Sequence, residues 1–155
     1  LAGGGENEFG LAASAFLTAP SGAQDDWFGS RSYTGGAMLI VDKKWAKKTT
    51  ATVNLGYRIS KEERLSATQE TGSAVLFGMG LSHNLNQNFV ITGEIYGNSP
   101  SADLFKEKVS PLEADLSLGY RVWGNGRIFV GAGAGLTDGV GAPEWRLRMG
   151  LIKRL

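Results

Sequence analysis

Seven ionisable residues carry most of the chemistry this chain offers: Arg58, Glu94, Glu113, Asp115, Arg121, Arg146 and Arg148. Each stands in a run where polar or glycine residues alternate with apolar ones, so all seven share one face of an extended chain. From Glu144 to Ile152, Trp145, Leu147, Met149 and Leu151 take one parity, and Glu144, Arg146, Arg148 and Gly150 the other. From Pro111 to Trp123, Leu112, Ala114, Leu116, Leu118, Tyr120 and Val122 oppose Glu113, Asp115, Ser117, Gly119 and Arg121. Between them, Arg127 to Gly135 sets Ile128, Val130, Ala132 and Ala134 against Gly131, Gly133 and Gly135. Opposite charges flanking a strand of glycines predict ion pairing across it. Arg146 and Arg148 are expected to reach over the glycines to Glu113 and Asp115, with Glu94 one strand further. Such pairs either satisfy one another as a plug or exchange partners along a gated polar path.

Other site chemistries find little footing. The chain has no cysteine and one histidine, which excludes disulfides and thiolate metal sites and leaves only scattered carboxylates, so no metal and no cofactor is expected. His83 falls on the apolar parity near a short turn. A barrel-embedded acyltransferase or protease would hold its His beside a Ser or Asp at the opposite rim, so His83 reads as interfacial and no catalytic residue is assigned. Gly131, Gly133 and Gly135 form a G-x-G-x-G, but no helix follows to hold a phosphate, and room for the arginines is the better account. Lys and Arg number 16 against 15 Asp and Glu, a net charge of +1, which argues against a nucleic-acid partner. The basic turn KKWAKK (Lys43 to Lys48) and Lys153-Arg154 share one rim, where they meet anionic head groups, cell wall or only water.

Eight strands must position these residues, at about 8–18, 33–42, 49–59, 72–85, 88–97, 111–123, 127–135 and 144–153, in a single domain spanning 1–155. The second has the least regular pattern, since Met38 and Ile40 fall on the polar parity. Connections alternate strictly between long loops and short turns, the shortest being Asn86-Gln87.

Strands of about ten residues suit a tilted crossing of a bilayer, and an even number closes without an edge. Mean hydropathy is −0.12, yet a membrane barrel hides its apolar face in alternation. The demanding condition is that no charge lies at mid-strand on the lipid face, and the seven charges meet it. Aromatics gather near strand ends as interface anchors: Phe9, Trp45, Phe89 and Trp123 toward the short turns, Tyr33, Tyr57 and Trp145 toward the long loops. The expected fold is therefore all-β, an eight-stranded antiparallel up-and-down transmembrane β-barrel with a polar, plugged lumen. A soluble lipocalin-like barrel would need a largely apolar interior instead.

GAGAGLTDGVGAPEWRLRMGL (Gly131 to Leu151), NLGYR (Asn54 to Arg58), GEIYG (Gly93 to Gly97) and PLEADLSLGYRV (Pro111 to Val122) resemble the N-terminal barrel module of a branch of OmpA-family outer-membrane proteins. That resemblance implies a monomeric barrel in the outer membrane of a Gram-negative bacterium, long loops extracellular and termini periplasmic, in contact with lipid and lipopolysaccharide. It implies a structural, envelope-anchoring or surface-interaction role. Peptidoglycan would be held by a periplasmic domain that this chain does not include. The final GLIKRL lacks the terminal aromatic of barrels that end at their last strand, so the chain is expected to be the membrane part of a larger OmpA-like protein. A small gated pore or transport protein is the alternative, and a barrel-embedded enzyme a third.

Overall fold

The computed structural model describes residues 9–20, 32–45, 48–61, 63–66, 69–123, 126–139 and 141–153. The elements are β1 (Phe9–Thr18), β2 (Thr34–Trp45), β3 (Thr49–Ser60), β4 (Glu63–Ser66), β5 (Gln69–Thr71), β6 (Ala74–Asn84), β7 (Phe89–Pro100), β8 (Leu112–Arg121), β9 (Gly126–Gly135) and β10 (Arg146–Lys153). No α-helix occurs among the described residues. Eight strands form one antiparallel sheet in the order β1-β2-β3-β6-β7-β8-β9-β10, each beside its neighbour in sequence, while β4 and β5 pair separately.

That order makes the connections alternate in space as they do in sequence. β2–β3, β6–β7 and β8–β9 turn at one end of the sheet, the short-turn end; the longer connections lie at the other. Registers are unbroken in the large sheet, so parity carries across it: Leu39, Leu55, Phe77 and Gly97 form one row, and Asp115, Gly133 and Arg146 another. A pleated strand sends alternate side chains to opposite faces, and an unshifted register keeps those faces separate across all eight strands.

Several boundaries differ from expectation. The basic turn expected from Lys43 is strand as far as Trp45, because Lys43, Lys44 and Trp45 continue the ladder opposite Ala51, Thr50 and Thr49. β7 runs on to Pro100, which closes the ladder opposite Ala74 after β8 has left the other side at Gly97. β10 begins at Arg146 rather than Glu144, and β8 ends at Arg121 rather than Trp123. The long connection after β3 contains the β4–β5 hairpin. The turn at Asn86-Gln87 is wider than two residues: Leu85 donates to the Phe89 carbonyl at 3.0 Å, and the Asn86 side-chain oxygen accepts from the backbone of Asn88 and Phe89. Glu8, Ala46, Lys47 and Arg154 lie outside the described residues.

The two faces differ sharply. One carries the bulky apolar residues and leaves them bare: Leu147 is 71 % exposed and Met149 87 %. Among the described residues the only buried hydrophobic side chains are Ala74 and Val90. The other face holds most of the charges, hydroxyls and glycines, together with Met38 and Ile40, which stand opposite Gly56 and Asn54. Phe16 lies over Gly36 there and Phe129 over Gly150.

Candidate functional site

The polar face of β7 to β10 holds a connected set of charges. Arg148 Nε donates to Asp115 Oδ2 at 2.9 Å, and its Nη2 donates to Glu94 Oε2 at 3.1 Å. Nη2 also meets Asp115 Oδ1, as an ion pair rather than an aligned hydrogen bond. Arg146 Nη2 lies 3.1 Å from Glu113 Oε2, and Tyr96 donates its phenol proton to that same oxygen at 3.2 Å.

Register explains the reach. Arg146 stands level with Gly133 and Asp115, yet it pairs with Glu113; Arg148 stands level with Gly131 and Ser117, yet it pairs with Asp115. Each guanidinium thus crosses β9 diagonally, two residues toward the long-loop end. β10 and β8 are two strand spacings apart, about 10 Å, which a long side chain spans only if nothing rises from the strand between. A Cβ at Gly133 would stand 2.8 Å from Asp115 Oδ2 and 2.7 Å from the Ala114 carbonyl, and one at Gly131 would stand 2.7 Å from Ser117 Cβ. Glycine is required there by the close approach of neighbouring atoms.

Burial grades the pairs. The Asp115 side chain is fully buried and Arg148 is one-third exposed, whereas Arg146 is 39 % exposed beside a Glu113 that is 12 % exposed. An ion in a confined, low-dielectric setting needs its partner far more than one at the rim.

Two of the seven expected charges stand apart. Arg58 lies level with Ala74 and Pro100, six residues along β7 from Glu94 and so about 20 Å up the strand. Its Nε is buried without a hydrogen-bond partner. Arg121 is exposed at the far end of β8, opposite Arg127 and six residues from Asp115. Common parity put both on the charged face, but height along the strands separates them from it. Tyr96 is the member that sequence reasoning passed over; its parity was the available signal, and only the register sets it level with Glu113.

Beside the charges, Thr50, Thr52, Asn54, Gly80, Ser82, Thr92, Glu94 and Tyr96 line a recess of about 140 Å³. Ser82 and Thr92 share a hydrogen bond of 2.9 Å, and the buried Asn54 Oδ1 has no partner. The recess thus adjoins the ion pairs that Arg146 and Arg148 make on the same face.

All seven expected interface aromatics are exposed. Phe9, Trp45, Phe89 and Trp123 stand at the short-turn end; Tyr33, Tyr57 and Trp145 stand at the long-loop end. Lys43, on the apolar face, lies 4.9 Å from the Phe9 ring and 5.5 Å from the Trp45 ring. His83 shares a 2.8 Å hydrogen bond through Nδ1 with Thr49 Oγ1. Among the described residues no group of three His, Cys, Asp or Glu could hold a metal ion. Compared with known proteins, the chain matches no family model, no curated protein and no solved structure.

Proposed function

We propose that this chain is a membrane-embedded β-barrel of a bacterial outer membrane, with a structural, envelope-anchoring or surface-interaction role, as the resemblance to OmpA-family modules suggests. One observation carries the reading: a sheet of eight strands leaves its large hydrophobic residues bare on one face and holds the ion pairs of Arg146 and Arg148 with Glu113, Asp115 and Glu94 on the other. A water-soluble domain of this size buries such residues. Lipid supplies the missing apolar surroundings, and it tolerates no unpaired strand edge, so β1 closes on β10. The charged face then becomes the lumen, the aromatics become two interface belts, and the long loops face outward with the termini periplasmic. Lipid and lipopolysaccharide are the immediate partners; peptidoglycan contact needs a further domain.

The test is refolding into lipid vesicles. Expected are protection of the strands from protease, oriented insertion and a heat-modifiable band on gels. A monodisperse, detergent-free soluble protein would rule the reading out.

A small gated pore is favoured by one feature, the polar recess beside Glu94. Planar-bilayer recording separates the two. A plugged lumen gives no steady conductance, whereas a pore gives discrete current steps that change in Arg148→Ala.

A further inference from the structure

The segment between β7 and β8, SADLFKEKVS (Ser101 to Ser110), is built more firmly than a surface loop requires. At its base Ser99 is fully buried; its hydroxyl accepts a proton from the Phe105 amide at 2.6 Å and from the Ser110 hydroxyl at 3.1 Å. Lys106 N donates to the Asp103 carbonyl at 3.2 Å and Ser110 N to the Lys106 carbonyl at 2.9 Å, which winds the segment into tight turns. These bonds hold Phe105 at φ 57°, a left-handed conformation that a bulky residue adopts only under constraint.

The constraint aims the segment sideways. Phe105 meets Phe77 with ring centroids 5.9 Å apart, and Phe77 belongs to the apolar face, level with Leu55 and Gly97. Gly97 makes the seat: a Cβ there would stand 3.1 Å from the Phe77 ring. A second tie joins Tyr57, also on the apolar face, to Ser101 through a 2.9 Å hydroxyl hydrogen bond, and a third runs from the Ser101 amide to the Ser73 carbonyl at 2.9 Å. Leu104 and Phe105 are both left exposed, Phe105 against the long-loop end of the apolar face and Leu104 next to it in sequence.

We infer that this segment is a collar that seats Leu104 and Phe105 among the acyl chains of the outward-facing leaflet, just below its head groups. The inference rests on the membrane reading and adds to it a lipid contact made by a loop. The occupant follows from continuity and charge. Phe105 extends the apolar surface of Leu55, Phe77 and Ile95 with the exposed Leu104 beside it in sequence, while Asp103 and Glu107 cancel Lys106 and Lys108, so the segment selects neither an anion nor a cation. Apolar side chains locked beside an apolar wall suit the boundary between head groups and hydrocarbon.

The chain has no cysteine, so a nitroxide attached to a single introduced one reports that position alone. Three variants of the full chain, Leu104→Cys, Leu118→Cys and Ala102→Cys, are refolded into phosphatidylcholine vesicles. Accessibility to oxygen and to a water-soluble nickel chelate is then compared. Expected is a Leu104 label several-fold richer in oxygen relative to nickel than the Ala102 label, and shallower than the mid-strand Leu118 label. Ser99→Ala should move the Leu104 label toward water. A Leu104 label as nickel-accessible as Ala102, with Leu118 immersed, overturns the collar and leaves the membrane reading standing. Leu104 and Leu118 both open to nickel overturn the two together. Phe105→Cys provides a second position with the same expected and opposing results, should Leu104→Cys fail to refold.

Discussion

Arg148 and Asp115 are joined across a strand to which neither belongs: the guanidinium Nε lies 2.9 Å from the carboxylate over the bare backbone of β9. Because the Asp115 side chain is fully buried, loss of Arg148 strands a charge away from water. Arg148→Ala should cost about 3–5 kcal/mol, read as the loss of unfolding free energy in urea from lipid vesicles. The swap Asp115→Arg with Arg148→Asp should recover part of that loss, because two groups in contact are coupled. Additive single and double losses would show that the two side chains act separately.

The Arg146–Glu113 pair tests whether burial sets the scale. Its arginine is 39 % exposed, so Arg146→Ala should cost on the order of 1 kcal/mol in the same assay. A loss equal to that of Arg148→Ala would mean the network fails as a unit.

Gly133→Ala should destabilise by about 1–3 kcal/mol, because the new methyl meets a backbone carbonyl that cannot move aside. Gly93→Ala, on the apolar face with only Leu116 Cδ1 at 3.9 Å, should be neutral or mildly stabilising. Equal effects at the two positions would remove the steric account of the glycine strand.

Leu147→Arg places a charge on the bare face. In lipid it should cost about 2–4 kcal/mol near the midplane. On a water-facing surface the same change should fall within about 0.5 kcal/mol of neutral. Leu147→Ala should lose only apolar contact.

Lys43 stands between two rings at the short-turn end, on the face proposed to meet lipid. Lys43→Met should lower the preference for anionic over zwitterionic vesicles by about 1 kcal/mol, the electrostatic attraction of one basic residue to an anionic surface. Partitioning between the two vesicle types measures it, and an unchanged preference would reduce the aromatic cage to local packing.

The face assigned to each side chain was legible in the sequence because a strand alternates with a period of two, a local property of the pleated backbone. Leu147 beside Arg148, or Leu116 beside Asp115, already separates an apolar face from a charged one, and strand lengths with alternating long and short connections already imply an up-and-down sheet. What period alone leaves open is height: which residues of different strands stand level, and how far a side chain leans past its own row. Those depend on inter-strand register and on diagonal reach across neighbouring strands. So Arg58 and Arg121, alike in parity, fall outside the network, while Tyr96 falls inside it. The same reason governs the β7–β8 segment. Its residues show no periodicity, and only the tertiary contacts of Ser99 with Ser110 and of Phe105 with Phe77 turn it onto the apolar wall.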